Sequence, residues 1–341
     1  MLPFEPLPGL KNGVLQTILG SQISGDTLIG ERIFHKIPLD TKNFILGLEL
    51  PSKIPDAPLI LLLHGMGGCS ESAYIRRLAR KMESRGFGVF MMNQSGSGPG
   101  MGLSSRLWHG GSSEDLSKMV EYIKVLYPGR PLILTGFSLS GNILLKYLGE
   151  GRQIPSEVQS ALAVNPPVDL KAAALAISQG PWARTFNGYY MKLLNRQLKA
   201  IKECFPDAFV PEKTSRTIYD FDIAYTTPVG GFKDVDEYYQ LSSSFQFLDN
   251  IFVPTTILCS KDDPFVPFDI FERTRMSLCV STEFPDGGGH MGYISKKKLP
   301  TGDRRWMDYY VEQWALDAAS GLNGNKSLSV RTEKTPGGES K

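Results

Sequence analysis

The sequence predicts an α/β fold, with a mostly parallel central sheet, helices on both of its faces and a helical cap inserted near its carboxyl edge. Three observations carry this. Short continuous apolar runs at 58–63, 88–92, 131–135 and 160–164 alternate with helix-spaced segments, the rhythm of a parallel sheet wound on both sides. The stretch Gly136-Phe137-Ser138-Leu139-Ser140-Gly141 joins one of these runs to a helical pattern at 142–148 through a bend of small residues. Between 169 and 250 the rhythm lapses, and it resumes with a strand pattern at 254–259. A chain of 341 residues is expected to form one enlarged core with an insertion. The expected division is an arm at 1–30, a core at 31–168 and 251–321, a cap at 169–250, and a polar, disordered tail at 322–341.

In chain order, residues 1–30 are punctuated by Pro and Gly, with helical spacing only at 12–18. Loose alternation around Ile33, Ile37, Phe44 and Leu46 predicts two antiparallel strands at a sheet edge. The run at 58–63 ends in His64-Gly65-Met66-Gly67-Gly68, where glycines let backbone N–H groups turn toward a ligand and the Met66 amide is a natural oxyanion donor. Tyr74, Leu78 and Met82 mark a helix that stops near Gly86. The glycines at 96–102 resemble a dinucleotide loop, but G-x-G-x-x-G does not occur, and no Gly-Lys-Ser or Gly-Lys-Thr phosphate loop is present. The segment reads as a turn-rich connection near the pocket. Ser112 to Asp115 has capping-box character, and Leu116, Val120, Ile123 and Tyr127 trace the face of the helix that leads to the nucleophile strand.

The bend at 136–141 is where chemistry is expected. A strand that turns at once into a helix would hold the Ser138 hydroxyl clear at the sheet edge and set the Leu139 amide under a reacting carbonyl, as in the nucleophile elbow of an α/β-hydrolase. The plainer reading is a serine capping a helix. The histidines favour the first. In that fold the order is Ser, acid, His, and of His35, His64, His109 and His290 only His290 follows Ser138. His35 and His64 read as structural. The acid is expected after the strand at 254–259, where Asp262 and Asp263 both stand, and both could instead cap the next helix. Cys69 lies beside the 64–68 loop but has no local base to activate a thiol.

Composition excludes several classes. The chain has 37 basic and 35 acidic residues, a net charge of +2, and no long block of one sign, which argues against nucleic-acid binding. Cys69, Cys204, Cys259 and Cys279 form no C-x-x-C pair and are expected to be reduced thiols, with no zinc or redox motif. The amino terminus lacks the features of a signal peptide, and the longest apolar run, 57–63, is far short of the ~20 residues that span a bilayer. A soluble, cytoplasmic protein is expected. Peripheral contact with lipid stays open, since a cap with exposed apolar side chains could rest on a membrane.

These segments together resemble the YheT-like branch of the α/β-hydrolases, which includes the ABHD-type lipid esterases. The likeness runs over roughly 4–314. It rests on Leu15-Gln16-Thr17, the His64-Gly65 loop, Trp108-His109-Gly110, the elbow through Asn142, Pro228-Val229-Gly230-Gly231-Phe232, Asp262-Asp263-Pro264-Phe265 and Gly288-Gly289-His290-Met291-Gly292. The resemblance implies a serine hydrolase of carboxylic esters, acylglycerol or phospholipid among them, without metal or organic cofactor. Family spacing, with the acid four residues before a proline (here Pro267), selects Asp263 over Asp262. The chain departs from the family at Ser140, where glycine is usual and modest strain is expected; at Ser95, where arginine is usual; and at Val14, where histidine is common.

The expected mechanism is attack by Ser138, with His290 as base, Asp263 as its support and the Met66 and Leu139 amides as oxyanion hole. An imidazole base acts only when neutral, so activity is expected to rise with pH through roughly 6 to 7. Acyl transfer or thioester cleavage by the same serine is an alternative. A non-catalytic lipid- or ligand-binding protein on the same fold is another.

Overall fold

The computed structural model describes residues 1–24, 28 and 31–329, with side chains through 321. Eight strands form one sheet: β1 (Ile33–Pro38), β2 (Phe44–Leu50), β3 (Leu59–Leu63), β4 (Gly88–Asn93), β5 (Leu132–Phe137), β6 (Val158–Val164), β7 (Thr255–Leu258) and β8 (Val280–Glu283). Their spatial order is β1-β2-β4-β3-β5-β6-β7-β8. The pairings of β1 with β2 and of β2 with β4 are antiparallel, and the rest are parallel. The helices are α1 (Gly13–Gln22), α2 (Ala73–Ser84), α3 (Ser113–Leu126), α4 (Leu139–Gly149), α5 (Leu170–Gln179), α6 (Ala183–Cys204), α7 (Ile218–Phe221), α8 (Thr227–Gly230), α9 (Val235–Ser242), α10 (Asp269–Arg273) and α11 (Trp306–Ser329).

The continuous apolar runs have a simple cause. Along β3, Leu59, Leu61 and Leu63 enter one core, while Ile60 and Leu62 enter the other, all at most 1% exposed. Side chains alternate across a strand, so a sheet covered on both faces leaves no position for a polar residue. One core is closed by α3 and α4, through Leu116, Val120, Ile123, Ile143 and Leu144. The other is closed by α2 and α11, through Ile75, Leu78, Trp306, Tyr310 and Trp314.

Register brings the functional loops to one edge. Leu63 pairs with Gly136 and Phe137 with Val164. The loops after β3, β5 and β6 therefore leave the sheet side by side. Between β6 and β7 the chain runs through α5 to α9, which include a π-helical turn at Asp222–Thr226.

Two expectations need correction. Ser112 is the N-cap of α3 but makes no side-chain cap; its hydroxyl accepts from the His109 N–H (3.0 Å) instead, because the tight 109–112 loop competes for it. The last helix, expected to end near 321, continues to Ser329, within the stretch expected to be disordered; residues 330–341 of that stretch lie outside the described residues, as do 25–27 and 29–30 of the arm.

Candidate active site

Ser138 immediately precedes α4 and has φ +52° and ψ −124°, a left-handed conformation that a non-glycine residue rarely adopts. Its N–H donates to the Val164 carbonyl (2.8 Å), which ties the bend to β6. Two residues earlier only glycine fits: a Cβ on Gly136 would lie 2.6 Å from the Ser140 carbonyl oxygen. The strained backbone turns the hydroxyl out of the sheet, at the amino terminus of α4.

His290 reaches Ser138 from the loop after β8. Its Nε2 lies 2.8 Å from Ser138 Oγ, and its Nδ1 lies 2.8 Å from Asp263 Oδ2. The acid pair is thus divided by geometry. Asp263 faces the imidazole, whereas Asp262 Oδ1 accepts from the Gly289 N–H (2.8 Å) and so fixes the loop that carries His290. Burial pushes the Asp262 carboxyl up from its ordinary range, against the pull of that amide. Asp263 is held by further donors: the Phe265 N–H (2.8 Å) and Val266 N–H (3.1 Å) on Oδ1, and Asn165 Nδ2 (2.7 Å) on Oδ2. A carboxylate so engaged keeps its orientation, and the Nδ1 proton of His290 has one acceptor to point at.

The amides of Met66 and Leu139 have no hydrogen-bond acceptor among the described residues. The neighbouring Gly65 N–H is already used, donating to the Tyr74 hydroxyl (2.8 Å), and the Gly68 N–H donates to the Gly65 carbonyl (3.0 Å), so neither competes with Met66. His64 anchors the loop. Its Nε2 accepts from the Gln94 N–H (3.2 Å), so Nδ1 carries the proton that goes to the Gly65 carbonyl (2.8 Å). Burial pushes its pKa down to about 4, so the ring is neutral.

A cavity of about 430 Å³ opens on Ser138 and His290. Its walls come from α1, the 65–68 loop, α2 and α6. Sequence alone offered many cap aromatics; Phe186, Tyr189 and Tyr190 of α6 line this cavity, whereas Phe221, Tyr225, Tyr238 and Tyr239 are buried in the cap core. Phe265 links the cap to the histidine, its ring 4.7 Å from that of His290 and 4.5 Å from that of Phe186.

The remaining histidines and the thiols stand elsewhere. His35 bridges Glu49 Oε2 (2.7 Å) and the Tyr122 hydroxyl (3.0 Å) at the sheet edge. His109 packs between Phe232 and Tyr238, and burial pushes its pKa down to about 4. Burial pushes the thiols of Cys69 and Cys259 up, away from the reactive thiolate. Among the described residues no cluster of His, Cys, Asp or Glu could hold a metal ion.

Four contributors, Thr17, Gln16, Asn165 and Tyr74, escaped the sequence reading. Thr17 of α1 accepts the His290 N–H on Oγ1 (2.8 Å) while donating to the Gly13 carbonyl (2.7 Å), and Gln16 brackets Ile294 through both its N–H and its carbonyl. The Leu15-Gln16-Thr17 motif was the available signal, without a role attached. Asn165, with φ +47°, follows β6; asparagine is among the non-glycine residues that most often take that backbone, whereas the proline after it favours extended backbone, so the signal in the sequence is mixed. Tyr74 looked like one member of an apolar helix face.

A family model described as alpha/beta hydrolase fold matches residues 58–297. YheT of Escherichia coli is 27% identical over 319 residues, which are 91% of this chain and 92% of that protein. The medium-chain fatty acid ethyl ester synthase/esterase 2 of Saccharomyces cerevisiae is 31% identical over 270 residues, 71% of this chain and 59% of that longer protein. Among solved structures, the Pyrococcus furiosus esterase Pf2001 superposes with a TM-score of 0.53 at 15% identity, over 88% of this chain and 97% of that one, a likeness of fold.

Proposed function

Because the chain belongs to the family of the α/β-hydrolase fold, we propose that it is a serine hydrolase that cleaves carboxylic esters with an acyl or lipid chain, by way of an acyl-enzyme on Ser138. The observation that carries this reading is the unbroken relay from Ser138 Oγ through His290 to Asp263, each contact 2.8 Å, with Ser138 and His290 lining a mostly apolar cavity. With Nδ1–H of His290 directed at Asp263, the Nε2 lone pair accepts the Ser138 proton as Oγ bonds to the ester carbonyl carbon. The imidazolium then lies against the Asp263 carboxylate. The carbonyl oxygen becomes an oxyanion between the Met66 and Leu139 N–H groups, and the amino terminus of α4 adds its dipole. When the tetrahedral intermediate collapses, the ester C–O bond breaks and His290 returns the proton to the leaving alkoxide. Water, deprotonated by His290, repeats the sequence to release the acid. The apolar wall of Phe186, Tyr190 and Phe265 suits the acyl chain better than a charged group.

A fluorophosphonate probe tests this directly. Purified protein should be labelled, and Ser138→Ala should lose both the label and p-nitrophenyl ester turnover by about 10⁴-fold or more. Absence of labelling in folded wild type would overturn the reading in favour of a ligand-binding protein. The name of the yeast relative joins synthesis to hydrolysis, so acyl transfer is the second reading; added ethanol would then divert product from free acid to ethyl ester.

A further inference from the structure

Ser21, Gln22, Thr185 and Tyr189 line the cavity and are also exposed, so its mouth lies between the end of α1 and the start of α6. Large apolar side chains on these two helices are exposed among the described residues. Leu15 and Leu19 stand one turn apart on α1, each 41% exposed, and at the amino-terminal end of α6 are Trp182, 46% exposed, and the cavity-lining Tyr189, 59% exposed. The outward face of α6 continues from them. Trp182, Thr185, Tyr189, Lys192, Arg196 and Lys199 recur at intervals of three and four residues, which puts them on one stripe, and all are exposed. The opposite stripe, with Met191, Leu194 and Leu198, is buried.

Charge on this face is mostly positive. No charged residue occurs in α1, and α6 carries Arg184, Lys192, Arg196, Lys199 and Lys202 against Glu203 alone. Glu203 answers Lys199 at 3.8 Å, while Arg184, Lys192 and Arg196 have no carboxylate within ion-pair distance among the described residues. Apolar and aromatic groups beside a cavity mouth, backed by unpaired cations on the same helix, match the chemistry of an anionic bilayer surface. The apolar groups can enter the acyl region while the cations meet headgroups.

We propose that the face formed by α1 and the outward stripe of α6 docks on a bilayer bearing anionic headgroups, with the cavity mouth held against the lipid. In this orientation a lipid ester passes from the membrane to Ser138 without crossing water. The delivery part of the proposal rests on the ester-hydrolase reading, whereas docking does not, so the two can fail separately.

Docking is measured on Ser138→Ala protein by co-sedimentation with vesicles of phosphatidylcholine alone or with one-third phosphatidylglycerol, which reads binding without turnover. Binding to the anionic vesicles should be strong at low salt and fall steeply with added salt. Lys192→Glu with Arg196→Glu should lower the bound fraction about tenfold, as should Trp182→Ala with Leu15→Ser and Leu19→Ser. In the Ser138 background these variants should still turn over p-nitrophenyl butyrate within about twofold of wild type, which shows that they are folded, while hydrolysis of vesicle-borne ester falls with binding. The proposal is overturned if the protein ignores anionic vesicles, if folded charge-reversal variants bind as before, or if the face instead joins two copies of the chain in a dimer that Trp182→Ala dissociates.

Discussion

Thr17 shows how much of a site can rest on a residue that touches no reacting atom. Its hydroxyl accepts a hydrogen bond from the backbone N–H of His290 and donates one to the Gly13 carbonyl. Replacing it with valine keeps the shape but leaves a buried N–H without a partner, at a cost of about 1–3 kcal/mol. The loop can escape that cost only by moving, and the imidazole moves with it. Thr17→Val is therefore expected to lower kcat about tenfold with KM for a short ester within about twofold, whereas Thr17→Ser, which keeps the acceptor, should behave as wild type. A parallel loss in both variants, or none in either, would remove the positioning role. Ser95 shows the same economy: its hydroxyl donates to Asp115 (3.1 Å), and Arg106 supplies a guanidinium to that carboxylate (3.2 Å).

At the scale of elements, the decisive contacts are between backbones. Helix α1 is pressed onto the His290 loop so closely that a Cβ on Gly289 would lie 2.0 Å from the Gly13 carbonyl, and Gly289 has φ +59° as well. An amino-terminal helix that looks like an arm in the sequence is thus part of the wall behind the histidine. Helix α4 is tied down in a similar way by Ser140, where modest strain was expected. Its hydroxyl donates to the His64 carbonyl (2.5 Å) and accepts from Gln94 Nε2 (3.1 Å), joining the elbow to the ends of β3 and β4. If strain dominated, Ser140→Gly would stabilise the protein. The hydrogen bonds predict the reverse, a loss of about 1–3 kcal/mol in chemical denaturation, with esterase activity retained in the folded fraction.

For the whole molecule, three buried groups set opposing trends with pH. His64 and His109 are held neutral, each pushed from near 6.5 down to about 4, so their contribution is complete above pH 6.5 and is lost as pH falls toward 4. Asp222 has the opposite sign. Burial outweighs the hydrogen bonds from Thr226 (2.7 Å) and Tyr239 (2.9 Å) and raises it to about 6, so its contribution is complete below about 3.8 and is lost as pH rises through 6. Each group amounts to roughly 3 kcal/mol. Acidification from pH 7 to 4.5 brings a fall from the two histidines, against which Asp222 acts together with Asp115, Asp262 and Asp308, whose carboxyls burial also raises. Asp222→Asn should shift the balance toward loss, because it removes the compensating gain at low pH. Urea midpoints at the two pH values would show it, and an equal change in both proteins would mean that Asp222 ionises freely.

The sequence by itself determined the strand-helix rhythm, the sharp bend at Ser138 and, by order along the chain, His290 as its one available partner. These are local or ordinal properties: apolar runs, small residues at a bend and the position of a histidine can be read without knowing what lies nearby. Asp263 could be separated from Asp262 only by resemblance, because adjacent carboxylates on one loop are equivalent until their directions are fixed. The tertiary structure gave them those directions, toward the imidazole and toward the Gly289 amide. It also decided which cap aromatics face the cavity and which fill the cap, and it brought Thr17 against His290 across 273 residues of chain. A contact of that range leaves no periodic or compositional trace, since each of its two residues is typical of its own segment and only the packing of α1 against the loop after β8 makes them neighbours.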